Sequence, residues 1–582
     1  MTQPIRARGA PLALCLAAGL LSFPAKADER PAADAAGENP PRPALLTEIP
    51  QSARACLTCH AAPLFDEESF RRSVHQKRGC IACHEGYDFS THRAAPEELV
   101  ADEQKLAARF AKKSRVPAAL LACRGCHEDA FDELLTESVH GRWLREERPA
   151  AGPLCFDCHG SPHAIVRSGE DRGEKIHARS RRCVACHSDA GLMTRVGVPE
   201  GATSAYRDSL HGRMLALGNE RAPSCADCHG SHHILGQKDP RATVFGENKV
   251  RTCGKCHAGA SAAFASLVTH KSLHDRSERG PRFVHAAFSW LTALTLLGLF
   301  LHIVLDVAAE LRRRWARGHG RPEAPIPAFM PKTVRRFDLH VRIQHWLLMS
   351  GVVLLVLTGF PLRTATLGAS QALASFFGGM RVLPVVHRAA AFLLISAAIY
   401  HLGYLAWRVS RRDLRFSMIP AARDLSDAYG NIAYFLGLRK ERPKFAAFSY
   451  IEKFDYWAVF WGVVIMVGSG FLFWFPTTFT RVLPGWVVLG AQLAHGEEAT
   501  LAGLALFVWH FYNVHLRPSI FPMSWTWLDG KIGIEQLREE HGEVYDQLLA
   551  NRGRDSTSES SPAIGPAVQP TRGGPGEKEG PE

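Results

Sequence analysis

Seven Cys-x-x-Cys-His pentapeptides run through the first half of this 582-residue chain and consume fourteen of its fifteen cysteines. In order they are Cys56-x-x-Cys59-His60, Cys80-x-x-Cys83-His84, Cys123-x-x-Cys126-His127 and Cys155-x-x-Cys158-His159. Cys183-x-x-Cys186-His187, Cys225-x-x-Cys228-His229 and Cys253-x-x-Cys256-His257 complete the set. At this cysteine and histidine content chance would supply roughly 0.02 such motifs. Each motif offers two thiols for thioether bonds and an adjacent imidazole as proximal iron ligand, the requirement for covalent c-type haem. Zinc would need the Cys-x-x-Cys halves brought together in pairs, and a thiol redox site has no use for the trailing histidine seven times over. Seven haems would fill much of the interior themselves. The segment is therefore expected to be mainly α, with short helices carrying the motifs and little other regular structure.

The motifs form a repeat of Cys-x-x-Cys-His, Ser-x-His, Cys-x-x-Cys-His and a trailing histidine. Its first copy runs from Cys56 through Ser73-Val74-His75 and Cys80 to His92. The second runs from Cys123 through Ser138-Val139-His140-Gly141-Arg142 and Cys155 to His163. The third runs from Cys183 through Ser209-Leu210-His211-Gly212-Arg213 and Cys225 to His233. Half a copy, Cys253 and Ser272-Leu273-His274, precedes the apolar region. A haem iron that binds no substrate needs a second axial ligand. His75, His140, His211, His274, His92, His163 and His233 provide one candidate for each motif, with His232, His177 and His270 as substitutes. Methionine cannot serve generally, because only Met193 and Met214 lie in this region. The pairing of histidine with haem stays open.

Residues 1–27 read as a secretory signal: Arg6 and Arg8, an apolar run from Ala10 to Leu21, then Ala25-Lys26-Ala27 before Asp28. The fifteenth cysteine, Cys15, falls inside that run. Residues 28–50 are an Ala/Pro-rich linker, 51–280 the seven-haem domain, 281–525 a transmembrane domain, and 526–582 a cytoplasmic, largely disordered tail. The formal charge of +12 is no nucleic-acid signal, since much of it lies in loops between apolar segments.

Five apolar segments are long enough to span a bilayer, at about 284–308, 341–362, 384–407, 455–475 and 486–512. Gly496, Glu497 and Glu498 interrupt the last. Arg312, Arg313, Arg314, Arg317, Arg321, Lys332, Arg335 and Arg336 follow the first segment; Arg408, Arg411, Arg412, Arg415, Arg439, Lys440, Arg442 and Lys444 follow the third. The other loops carry only Arg363, Arg381 and Arg481. The positive-inside rule makes the dense loops cytoplasmic, with the haem domain in the periplasm and the C-terminus inside. The expected setting is a bacterial inner membrane.

Intramembrane histidines are functional candidates by default. His387 and His401 share one segment, and His495 and His510 another. Their spacings of 14 and 15 residues nearly complete four helical turns, so each pair faces one direction and spans roughly 21 Å. That suits two stacked b-type haems. His345, in Arg342-Ile343-Gln344-His345-Trp346, is a further candidate.

The Arg-x-x-His-Trp start, His387 and the His495/His510 pair resemble the dihaem cytochrome b subunit of membrane-bound formate dehydrogenases and nickel-iron hydrogenases, over residues 330–515. The resemblance implies a periplasmic-side haem held by His387 and His495. It implies a cytoplasmic-side haem held by His345 and His510, with a quinone site nearby. This chain departs from the pattern in that His401 competes with His345, and His302 on the first segment has no assigned role. A multihaem c domain followed by a dihaem b domain is also similar to the inner-membrane quinone oxidoreductases of metal-respiring bacteria.

The expected function is a quinol:cytochrome c-type oxidoreductase with seven haem c, two haem b and quinol as substrate. Electrons would enter the c haems near Cys253–His257 and leave to a periplasmic cytochrome or other redox protein. His340, Glu452, Lys453 and Asp455 are the quinone-site candidates. The alternatives are a terminal reductase of a small oxyanion at one c haem, or a membrane anchor and conduit for a separate periplasmic dehydrogenase.

Overall fold

The computed structural model describes residues 66–84, 123–145, 152–165, 172–198, 201–267, 279–318, 325–412, 417–555 and 569–570. The signal and linker regions, the first motif (Cys56, Cys59, His60), His92, His270 and His274 lie outside the described residues, as does the side chain of His177. The chain divides into two compact units, Met1–Cys183 with Cys225–Ala265, and Val184–Ser224 with Ser266–Glu582. A division near residue 280 was expected. Instead part of the third repeat folds with the apolar half.

In the first unit the repeat acquires a local physical reason. The Ser138 hydroxyl donates to Leu134 O at 2.6 Å and accepts from Gly141 N at 2.9 Å, so it starts the helix Val139–Arg145 that carries His140. A Cβ at Gly141 would lie 2.0 Å from Leu134 O, which only glycine avoids. Two motif helices, Cys155–His159 and Cys225–His229, are one turn long, and the first ends at Gly160 with φ +81°. The buried aliphatic core there is small, with Phe131, Leu135 and Leu144 against Leu154.

The second unit repeats the device: Ser209 donates to Tyr206 O at 2.6 Å and accepts from Gly212 N at 3.2 Å at the head of Leu210–Ala216. Leu217, just past that helix, is buried among Ala365, Ala374, Met380 and Leu383. Glu220 adds an ion pair with Arg381 at 3.2 Å. The third repeat is thus seated on the connection between the second and third long helices.

Among the described residues four helices are long and apolar enough to cross a membrane, Arg279–Ala316, Leu339–Arg363, Gly379–Ser410 and Tyr450–Trp474. Large apolar side chains stand more than half exposed along them, as with Trp290, Leu294, Leu297 and Leu301 on one stripe of the first, the outward face of a helix solvated by lipid. The fifth expected span is helical, from Gly485 to Ala505 with π turns to Leu516, but it does not reach the same apolarity. Its Glu497 is buried and receives Arg363 at 2.8 Å and His285 at 3.3 Å, while Glu498 is buried against Gly462. This helix packs between the first and fourth, so Glu497 is paired within the protein and Glu498 is buried rather than turned to lipid.

At the end of the bundle bearing the arginine-rich loops, Asp306 is buried, accepting from Arg517 at 3.0 and 3.3 Å and from Tyr512 at 2.9 Å. Replacing Asp306 by alanine would leave Arg517 with Glu540 alone, at 3.5 Å. The expected cost is roughly 3 kcal/mol, read as a lower thermal midpoint of the detergent-solubilised protein; an unchanged midpoint would show the pair to be idle.

The chain after residue 526 is a correction. Helices Thr526–Asp529, Ile534–Glu540 and Gly542–Asp555 are folded. Strand Lys531–Gly533 pairs antiparallel with Thr333–Arg335, placing Val334 opposite Ile532. Both side chains are buried with Leu537 in a hydrophobic core, which the polar composition of the segment concealed. Gln569–Pro570 forms the third strand, against the other edge of Thr333–Arg335.

Candidate functional site

The helices bring four of the expected histidines together in two pairs. His387 stands on Gly379–Ser410 with Nδ1 2.8 Å from Thr358 Oγ1. That hydroxyl donates to Leu354 O at 2.6 Å, so it accepts the Nδ1 proton and leaves Nε2 as the lone-pair nitrogen. His495 is held identically: Ser469 Oγ donates to Ile465 O at 2.6 Å and accepts from His495 Nδ1 at 3.0 Å. A glycine follows each hydroxyl residue. A Cβ at Gly359 would lie 3.1 Å from His387 Cε1, and one at Gly470 3.4 Å from His495 Cε1. Thr358-Gly359 and Ser469-Gly470 are therefore one device used twice, on the second and fourth long helices. Sequence reasoning missed it, although a hydroxyl-glycine step inside an aliphatic span was its visible signal. His495 also lies within electrostatic reach of His387.

The second pair is His345 and His510, with ring centres 6.4 Å apart. Two imidazoles sharing one metal through bonds of about 2.0 Å place their ring centres roughly 6.3 Å apart, so this spacing fits a shared haem iron. His510 ends a π turn and sends its Nδ1 proton to Asp455 Oδ2 at 3.2 Å. Among the described residues His345 Nδ1 has no hydrogen-bond partner. His401 is different: both its nitrogens are engaged, with Gln344 Oε1 at 2.9 Å and Tyr456 OH at 2.9 Å. His302 bonds Tyr450 OH at 2.7 Å and packs against Phe435 and Trp509.

Each of the four quinone-site candidates has its own partner. Glu452 caps its own helix through Ser449 N at 2.7 Å and pairs with Arg336 at 2.5 Å. Lys453 binds Asp424 at 2.8 Å, and Asp455 belongs to His510. His340 is exposed, bonded to Tyr400 OH at 2.7 Å and stacked on Tyr404.

In the c region the twelve described motif cysteines form no disulfide. Attachment thiols of successive motifs adjoin, Cys123 with Cys155 and Cys183 with Cys225, and Cys253 lies within electrostatic reach of Cys228. No three His, Cys, Asp or Glu side chains among the described residues converge as a zinc site needs. His75 and His127 have ring centres 6.3 Å apart, His84 and His163 6.3 Å, and His159 and His232 6.0 Å. Burial, then the neighbouring His84 and His75 rings, hold His163 below the ordinary imidazole range, and burial does the same to His187, so both are neutral donors at neutral pH. His233 Nε2 is instead 3.6 Å from Glu137. His257 packs on Phe264, while His140 and His211 stand on the serine-capped helices. Half-buried Arg213 has Arg363 as an electrostatic neighbour; its pKa is pulled down first by burial and then by that like charge.

Residues 336–520 match the prokaryotic cytochrome b561 family, and residues 108–195 match the family of cytochrome c7 and related cytochrome c. No curated protein matches the chain.

Proposed function

We propose that this membrane-bound electron-transfer protein, a multihaem c-type cytochrome joined to a b-type cytochrome, is a quinol oxidoreductase. It takes electrons from the quinol pool at the arginine-rich, cytoplasmic end of the bundle. It delivers them through two b haems and seven periplasmic c haems to a soluble redox carrier. The observation that carries the reading is the two-level arrangement of His387/His495 and His345/His510, with Thr358, Ser469 and Asp455 at the Nδ1 atoms of His387, His495 and His510. The haems, when bound, supply one-electron chemistry, and the protein sets their ligands, spacing and burial. Thr358 and Ser469 fix the tautomer of one ligand pair and Asp455 that of His510.

We place electron exit from the membrane at the part of the third repeat that folds with the bundle, Val184–Ser224. Leu217 sits in the pocket of Ala365, Ala374, Met380 and Leu383, at the head of the helix that bears His387. Arg213 lies within electrostatic reach of Arg363, which in turn pairs with Glu497, two residues from His495. Two adjacent arginines at this junction suit anionic haem propionates.

The deciding experiment adds a menaquinol analogue to the purified holoprotein and follows b and c absorption bands separately. The b bands should reduce first and the c bands follow; if neither reduces, the reading is wrong. Leu217→Ala removes a buried contact worth about 2–3 kcal/mol and is expected to slow c reduction about tenfold, as a 1.4 kcal/mol rise in barrier would. The b reduction and the haem content should stay as they are. Equal rates in variant and wild type would rule out the third repeat as the exit.

A further inference from the structure

We propose that the distal iron ligands of the c haems are exchanged between repeats: His75 serves the third-motif haem of His127, His163 the second-motif haem of His84, and His232 the fourth-motif haem of His159. The inference rests on reading the motifs as haem sites, and it adds what the motif order leaves open.

The ring separations are the first support. At 6.3, 6.3 and 6.0 Å all three pairs stand at the roughly 6.3 Å expected for two imidazoles on one iron, too far for a direct hydrogen bond. Each pair joins a proximal histidine of one repeat to a spare histidine of the next or preceding one. The backbone makes the same crossing. Val74 N donates to Ile165 O at 2.7 Å, and Val139 N donates to Ile234 O at 2.8 Å. The Ser-Val-His turn of each repeat is thus stitched to the trailing segment of the following repeat, twice over by the same residue types. His75 completes this stitch by donating Nδ1–H to Pro162 O at 2.9 Å, which leaves Nε2 for iron.

His232 replaces the expected His233. Alignment of Cys-His-Gly-Ser-Pro-His with Cys-His-Gly-Ser-His-His makes His233 the counterpart of His163, yet it is His232 whose ring faces His159. The glycine step lets the segment turn, with Gly230 at φ +79°, and side-chain direction then decides between adjacent residues.

Attachment is local, because both thiols and the proximal histidine lie within one pentapeptide, whereas ligation is not. Losing one repeat's histidine should therefore unseat a neighbour's haem. The test uses the full-length holoprotein and electron paramagnetic resonance. His75→Ala should convert one low-spin haem to high spin with all seven still attached. The new signal should vanish when Cys123→Ser/Cys126→Ser is added and persist when Cys80→Ser/Cys83→Ser is added. His163→Ala should show the reverse dependence, and His232→Ala should give a high-spin signal that His233→Ala does not. The opposite cysteine dependence, or a high-spin signal from His233→Ala alone, overturns the proposal. Fewer than seven covalent haems by mass in the wild type would instead sink the haem reading itself. Should an alanine variant fail to fold, His163→Met keeps an axial donor, and its thioether-to-iron charge-transfer band must disappear with Cys80→Ser/Cys83→Ser; survival of the band counts against the exchange.

Discussion

Replacing His345 by alanine is expected to lower the b-haem content from two to one per chain and to abolish quinol-driven reduction of the c haems. The same change at His401 should retain both haems. The sequence left these two histidines in competition for one iron. His401 has no free nitrogen, since Gln344 and Tyr456 occupy both at 2.9 Å, and ligation would have to break one of those bonds. His345 faces His510 across 6.4 Å. A lost axial ligand in the bilayer cannot be replaced by bulk water, so the haem leaves rather than remaining five-coordinate. Pyridine haemochrome analysis of b against c haem measures the outcome directly. Retention of two b haems in His345→Ala, or loss of one in His401→Ala, would reverse the assignment.

Asp455→Asn is expected to raise the potential of one b haem and leave the other where it was. A carboxylate accepting the Nδ1 proton makes the imidazole more basic and favours the ferric state, whereas the hydroxyls of Thr358 and Ser469 are neutral acceptors. The two histidine pairs therefore stand in unequal electrostatic settings. Asparagine still accepts the His510 N–H, so ligation survives while the charge is removed. A tenfold change in the ferric-ferrous equilibrium, about 59 mV for one electron, is the expected scale. Optical redox titration at fixed pH resolves it, with Ser469→Ala as the comparison for the other level. Two unmoved potentials would mean the Asp455 contact does nothing to the iron.

Much of this site was legible before any fold was known, because its chemistry is local. Two thiols and an imidazole within five residues define an attachment site whatever surrounds them, and Ser138 and Ser209 cap their helices through neighbours within four residues. Long apolar runs announce membrane helices for the same reason. Misjudgements arose where polarity was compensated at long range. Glu497 and Glu498 lowered the apolarity of a helix that is enclosed by others. The segment after 526 looked solvated although Ile532, Leu537, Tyr545 and Leu548 form a core with Val334. Asp455 and Lys453 were quinone-site candidates by sequence, and each has a charged or ring partner far away in the chain.

By itself, then, the sequence determined that the protein is a multihaem chain tied to a membrane bundle, since covalent motifs and hydropathy depend only on neighbouring residues. Only the tertiary structure decided which histidines face each other, which repeat rests on the bundle, and which hydroxyl or carboxylate orients each ring. Those are contacts between residues distant in sequence, fixed by how helices pack and strands of backbone cross. Adjacent histidines such as His232 and His233 are chemically equal until the fold brings one of them opposite His159.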